Sequence, residues 1–141
     1  MIQIVQGNVL NASENLICHQ VNCKGVMGAG LAKQIKIRYP EVFRAYQELC
    51  NQQGSKLLGK AYVVKRIVNI FGQNEYGTSS RKTDYKALEK AFKALHKNLP
   101  SKISLAFPYN FGCGLAGGDW NTVYHLIEQC FENREIKIYK L

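Results

Sequence analysis

Apolar residues along this chain alternate between short β-branched runs and longer stretches with helical spacing. The short runs predict strands at 2–5, 16–21, 61–64, 67–71, 103–107 and 136–139. Apolar positions three and four residues apart predict helices at 30–39, from Pro40 onward, at 85–99 and at 119–131. Strands that alternate with helices predict a three-layer α/β/α sandwich around a mixed, mostly parallel sheet of about six strands.

Length and composition fit one ordinary domain. The 141 residues, 46% of them hydrophobic, can build a single core, so we expect one domain over residues 1–141. No run approaches the roughly 18 apolar residues of a membrane span, and the N-terminus has no signal-peptide pattern. We therefore expect no membrane partner, a cytoplasmic location and a monomer.

The cysteine content and the charge narrow the candidate chemistry. Five cysteines, an odd number in a chain of normal core-forming composition, predict reduced thiols. Cys18, His19 and Cys23 contain no CxxC pair, and strand alternation directs Cys18 and His19 to opposite faces, so we expect neither a metal nor a cofactor.

A net charge of +9 favours an anionic partner such as a nucleotide or a nucleic acid. Lysines on the solvated face of the helix at 85–99 are the alternative explanation for part of this charge.

Two glycine-rich loops each follow a predicted strand and precede a predicted helix. The first runs from Asn22 to Gly30, and the second, at 108–120, has four glycines within seven residues. Glycines let a ligand approach the backbone, and a helix start supplies N–H donors and a positive dipole end. The first loop alone is also compatible with a tight turn. Because ligands bind beyond the carboxyl ends of the strands, the two loops together predict a clamp for a diphosphate.

These loops and two further segments resemble the macrodomain family over essentially the whole chain. The segments that carry the resemblance are Gln6-Gly7-Asn8-Val9-Leu10, the block from His19 to Ala32, Phe71-Gly72-Gln73, and Gly112-Cys113-Gly114-Leu115 before Asp119-Trp120. Within the family the chain is most similar to the branch that contains the terminal ADP-ribose protein glycohydrolase and the antitoxins that remove ADP-ribose from DNA. The resemblance implies a pocket for ADP-ribose, or for an ADP-ribosylated protein or nucleic acid, and hydrolysis of an ADP-ribosyl bond.

The resemblance also implies which residues bind the ligand. Asn8, beside Val9, lies where the family usually has an Asp that recognises adenine, although a turn-forming role carries equal weight. Asn22 matches an Asn that contacts the distal ribose, with loop capping as its alternative role. The remaining matched binding positions are Gly25, Met27, Gly28, Ala29, Gly30, Gln73, Phe111, Gly112, Cys113, Gly114, Leu115 and Ala116. Core packing is the alternative role for Phe111.

Lys82 is the candidate nucleophile. It lies just before a predicted helix and next to Arg81, so the helix dipole and the neighbouring cation disfavour its charged form, and a neutral amine is a nucleophile. In the glycohydrolase branch a Lys in a similar loop attacks the anomeric carbon of the distal ribose. A solvated surface lysine is the alternative.

The catalytic acid of that branch is missing here. Ala116 stands where the branch has an Asp directly after Gly-Cys-Gly-Leu, and Asp119 lies three residues further on. Asp119 either replaces the missing acid or caps the following helix. The sequence thus predicts an ADP-ribosyl hydrolase, and leaves open a reader that binds ADP-ribose without turnover and an ADP-ribose 1''-phosphate phosphatase.

Overall fold

The computed structural model describes residues 1–77 and 80–141, in which a six-stranded sheet lies between two pairs of helices. Its strands are β1 (Ile2–Gln6), β2 (Leu16–Val21), β3 (Ala61–Val64), β4 (Ile67–Phe71), β5 (Leu105–Pro108) and β6 (Ile136–Lys140). Its helices are α1 (Gly30–Arg38), α2 (Pro40–Gln53), α3 (Tyr85–Asn98) and α4 (Trp120–Cys130). The strand order is β1-β6-β5-β2-β4-β3, and the described pairs are parallel except for β3 with β4. This confirms the predicted α/β/α class and its mixed sheet.

Strand alternation divides the core into two halves. Ile17, Ile67 and Ala106 point to the face covered by α1 and α2, whereas their neighbours on the same strands belong to the cluster under α3 and α4. In that second cluster, the ring centroid of Phe92 lies 5.8 Å from that of Phe107. Both faces of the sheet are buried, as expected for parallel strands with helical connections.

The helices start in different ways. Asp84 caps α3 by accepting from the N–H of Ala87 at 3.0 Å, and Asp119 caps α4 in the same manner through Thr122 at 3.0 Å. Helix α2 begins at Pro40. Helix α1 has neither a side-chain cap nor an acidic residue in its first turn. Its N-terminal N–H groups are therefore available to an anion.

The central strands position the functional site. Strands β5, β2 and β4 are parallel neighbours, so their carboxyl ends and the loops that follow them meet at one edge of the sheet.

The bounds of β5 differ from the prediction. The sequence predicts this strand at 103–107, whereas in the structure it runs from Leu105 to Pro108. None of the described helices is both long and apolar enough to cross a membrane.

Candidate ADP-ribose site

A cavity of about 640 Å³ lies beyond the carboxyl ends of β2, β4 and β5. This volume lies within the range of about 300–1,000 Å³ typical of small-molecule sites. The described residues that line it are His19, Gln20, Val21, Asn22, Val26, Gly28, Ala29, Gly30, Leu31, Ala32, Gln73, Tyr76, Gly77, Pro108, Tyr109, Asn110, Phe111, Gly112, Gly114, Leu115 and Ala116. None of these is an Asp or a Glu, so an anionic ligand meets no fixed negative charge from them.

The first wall of the cavity is the uncapped start of α1. Residues 28–32 all line the cavity, and the first regular helical bond in this turn runs from the N–H of Lys33 to the carbonyl of Ala29 at 3.2 Å. The N–H groups of the preceding residues thus face the cavity with the positive end of the helix dipole behind them. This geometry is suited to a phosphate.

The second wall is the glycine loop after β5. Its own hydrogen bonds run from Cys113 N to Asn110 O at 2.8 Å and from Gly118 N to Gly112 O at 3.0 Å. Gly112 has a φ of +71°, a left-handed conformation that L side chains rarely adopt. Within residues 1–77 and 80–141, the N–H groups of Gly114, Leu115 and Ala116 have no acceptor, so this wall also offers donors to an anion.

Asn22 organises the first loop from within. Its Oδ1 accepts from the N–H of Lys24 at 2.9 Å and from the buried Tyr46 hydroxyl at 2.8 Å, and its Nδ2 donates to Val26 O at 2.8 Å. Burial raises the pKa of Tyr46 above its usual range, so its hydroxyl stays a donor. The structure thus gives Asn22 the loop-capping role, while its place in the cavity wall keeps the ribose contact as a prediction. Sequence reasoning did not identify Tyr46 as part of the site.

Lys82 is held beside the second glycine loop. Its backbone N–H donates to Ala116 O at 2.7 Å, and Ala116 lines the cavity. The Lys82 side chain is half-buried, and its Nζ lies 3.3 Å from Ser80 Oγ. Lys82 itself is not among the described lining residues, so its reach to a bound ribose stays a prediction.

Asp119 caps helix α4. Its carboxylate accepts from both the N–H and the hydroxyl of Thr122, at 3.0 and 2.9 Å, and the residue is exposed. The structure thus gives Asp119 the capping role, and its part as a substitute for the missing acid stays a prediction, since Asp119 is not among the described residues that line the cavity. Ala116, at the position where the resemblance implies an acid, lines the wall without an ionisable group.

Several other predicted positions also lie outside the described lining. Asn8 accepts from the N–H of Leu10 at 2.9 Å and caps a single 3-10 turn, while Val9 is buried in the core under α1. Met27 is buried beneath the first loop, Gly25 lies over Cys50, and Cys113 Sγ donates to Phe111 O at 3.2 Å. The predicted residues that do meet in the wall are Asn22, Gly28, Ala29, Gly30, Gln73, Phe111, Gly112, Gly114, Leu115 and Ala116.

His19, which lies within the buried strand β2, also lines the cavity. It is buried, and its Nε2 donates to Asn69 Oδ1 at 2.7 Å, so its Nδ1 carries the lone pair. That Nδ1 is buried without a partner among the described residues. Burial lowers the pKa of His19 to about 4, which keeps the ring neutral.

Because His19 is buried and neutral, we expect the stability of the folded protein to depend on pH. The unfolded chain takes up the imidazole proton near pH 6.5 and the folded chain only near pH 4. The unfolded state therefore binds more protons throughout this window, and the free energy of unfolding falls by about 3 kcal/mol between pH 7 and pH 4 on account of this group. Urea unfolding at several pH values measures the effect.

The matched variants for this measurement are His19→Gln and His125→Gln. His125 lies on the exposed side of α4, with 64% of its side chain accessible. We expect the stability of His19→Gln to fall less steeply than that of the wild type below pH 6.5, and His125→Gln to follow the wild type. Parallel curves for His19→Gln and the wild type would contradict the assignment.

Comparison with known proteins agrees with this geometry. The family model described as "Macro domain" matches residues 18–127, which include both glycine loops. The solved macrodomain of Mycobacterium tuberculosis DarG superimposes with a TM-score of 0.83 at 32% identity and covers 99% of this chain and 97% of that one. The fold and the two loops are therefore shared with a protein of detectable sequence similarity.

Two curated relatives are similar over most of this chain. A DNA ADP-ribosyl glycohydrolase of Mycobacterium tuberculosis is 32% identical over 144 residues, which cover 94% of this chain but only 39% of the relative. The chain thus spans about two fifths of that protein's length. A human ADP-ribose glycohydrolase is 34% identical over 124 residues, which cover 86% of this chain and 76% of the relative.

Proposed function

This chain belongs to the macrodomain family, and from that premise we propose that it binds ADP-ribose and hydrolyses the bond between the distal ribose and an acceptor. One observation carries the proposal: an uncapped helix N-terminus and a glycine loop line the same cavity. Each offers backbone N–H groups to an anion, so a diphosphate between them is held from two sides. The names of the two curated relatives support a glycohydrolase.

Lys82 is the nucleophile in the proposed reaction. In its unprotonated form, the Lys82 amine forms a bond to the anomeric carbon of the distal ribose while the bond from that carbon to the acceptor breaks. The acceptor leaves with the bonding electron pair and takes up the proton that the amine loses. Water then hydrolyses the adduct, which releases ADP-ribose and regenerates the amine.

The composition of the cavity wall limits the acceptor. No Asp or Glu is among its described lining residues, and Ala116 occupies the family's acid position. Without a carboxylic acid to protonate the leaving group, the reaction favours acceptors that leave as stabilised anions. A protein carboxylate in an ester and a ring nitrogen of a nucleic-acid base meet this condition, whereas a serine alkoxide does not. The net charge of +9 favours the nucleic-acid acceptor.

A reader that binds ADP-ribose without turnover is the second candidate function. Ala116 in the acid position and Asp119 as a helix cap favour it, because the described wall then holds the diphosphate but supplies no carboxylate for proton transfer. The two candidates share the same cavity, and both bind ADP-ribose. They differ in turnover alone.

One experiment separates the two functions. The protein is incubated with ADP-ribosylated DNA and, separately, with protein carrying carboxylate-linked ADP-ribose, and the released ADP-ribose is measured beside calorimetry with free ADP-ribose. We expect binding, and release from at least one substrate. Binding without release from either would replace the hydrolase with the reader, and no binding would refute both.

A further inference from the structure

The side chain of Gln20 connects both ends of the segment between β4 and α3 and, through Thr83, the glycine loop after β5. Gln20 lies one residue from the carboxyl end of β2 and lines the cavity, and its Nε2 donates to Gln73 Oε1 at 2.7 Å and to Thr83 Oγ1 at 3.0 Å. An amide nitrogen has two hydrogens, so both are used. One carboxamide on the central strand thus bonds to two residues after β4.

Both partners of Gln20 donate a further hydrogen bond. Gln73 Nε2 donates to Glu75 O at 2.6 Å, which fixes the start of the loop after β4. The Thr83 hydroxyl donates to Gly112 O, which begins the glycine wall after β5. Because Gln73 and Thr83 each accept from Gln20 and donate onward, Gln20 sets the direction of every hydrogen bond in this chain.

Two glycines make room for the Gln20 carboxamide. A Cβ atom on Gly72 would lie 2.5 Å from Gln20 Oε1, and one on Gly112 would lie 2.8 Å from the same oxygen. Both distances are shorter than real Cβ contacts, so the carboxamide occupies a slot that exists because both neighbours lack side chains. Oε1 is buried without a partner among the described residues, so Gln20 is held through its amide nitrogen.

Thr83 links this hydrogen-bond network to the neighbouring residue, Lys82. The N–H groups of Lys82 and Thr83 both donate to Ala116 O, at 2.7 and 3.3 Å, and the Thr83 hydroxyl bonds to Gly112. Thr83 is therefore attached to both ends of the second glycine wall, directly after the candidate nucleophile. A shift of Thr83 would move the Lys82 backbone relative to the wall that holds the diphosphate.

We infer that Gln20 is a positioning residue which, through Thr83, fixes the Lys82 segment against the second glycine wall; for catalysis this rests on the proposed function. Gln20 does not act on the reacting atoms. It sets the distance between the amine and the anomeric carbon of a ribose held by its diphosphate. Its loss therefore affects the rate of the chemical step more than the affinity for ADP-ribose.

The test compares Gln20→Met with wild-type protein. Methionine keeps the length and volume of the side chain and removes both donors. We expect kcat for ADP-ribose release to fall about ten- to a hundredfold, while the Kd for ADP-ribose stays within about threefold. Gln52→Met, on the exposed side of α2, is the control and should leave both values unchanged.

A second measurement does not depend on turnover. Hydrogen exchange of the Lys82 and Thr83 amides reports their bonds to Ala116, and we expect exchange about tenfold faster in Gln20→Met than in wild type or Gln52→Met. Thr83→Val, which removes one hydroxyl, should reproduce the effect if Gln20→Met fails to fold. Unchanged exchange would overturn the inference even in a protein without hydrolase activity, whereas faster exchange without wild-type turnover would refute only the proposed function. Equal losses in kcat and in affinity for ADP-ribose would also overturn the inference about Gln20.

Discussion

Replacing Lys82 with alanine is expected to abolish release of ADP-ribose from an ADP-ribosylated substrate while leaving the affinity for ADP-ribose nearly unchanged. The amine forms the bond to the anomeric carbon in the proposed reaction, and the described cavity wall contains no other lysine to substitute for it. We expect the rate of release to fall by about a thousandfold or more. The Kd for ADP-ribose should stay within about threefold, because the backbone N–H groups of the two walls bind the diphosphate.

Two further variants separate nucleophilic attack from simple electrostatics. Lys82→Arg keeps a positive charge but presents a guanidinium that stays protonated, so it should be as inactive as Lys82→Ala. Lys86→Ala removes a lysine from the exposed side of α3 and should be as active as the wild type. Single-turnover release measures all three. Activity retained in Lys82→Arg would show that Lys82 acts through its charge, and activity retained in Lys82→Ala would exclude it as the nucleophile.

The elements of the fold follow closely from local apolar periodicity. The bounds of β2, β3 and β4 agree with the prediction because β-branched runs of 4–6 residues have clear polar or glycine neighbours. The start of β5 does not, since Ile103 and Ser104 are β-compatible residues engaged elsewhere. The carbonyl of Ile103 accepts from Arg134 at 2.7 Å, and the N–H of Ser104 donates to Asn15 Oδ1 at 2.9 Å. These distant partners have no signature in the local pattern.

The glycine walls could be predicted, whereas the residues behind them could not. A glycine loop between a strand and a helix is a local signal, and the carboxyl-end rule brings two such loops together. His19 and Gln20 lie within a strand that reads as ordinary buried sheet, and their importance depends on partners 50 or more positions away. Asn8 and Asn22 were ambiguous because an Asn that caps a turn and an Asn that contacts a ligand have the same local sequence.

Arg134 is the clearest case of a residue that only the structure reveals. In sequence it is one of several basic residues in a polar segment, yet it is only 1% exposed. Its guanidinium donates to the carbonyls of His96, Leu99, Pro100 and Ile103 and to His96 Nδ1, at 2.7–3.2 Å. Four of its five hydrogen bonds thus satisfy carbonyls in the last turn of α3 and just after it, and the fifth goes to the His96 ring. The negative end of the helix dipole also favours a cation there.

Removing that guanidinium is therefore expected to cause a large loss of stability. Arg134→Leu leaves four partly buried carbonyl groups without their charged donor, and we expect the free energy of unfolding to fall by about 3–5 kcal/mol. Arg134→Lys should lose less, since an ammonium keeps the charge but has three donors instead of five. Urea unfolding at pH 7 measures both variants.

The control for this prediction is Arg44→Leu on the exposed side of α2, whose stability should stay within about 0.5 kcal/mol of the wild type. A loss of less than about 1 kcal/mol in Arg134→Leu would mean that water replaces the guanidinium at the end of α3. The cavity lies at the other end of these elements, so a folded Arg134→Lys protein should bind ADP-ribose as the wild type does. A large affinity loss in that variant would instead show that the end of α3 is coupled to the walls that hold the ligand.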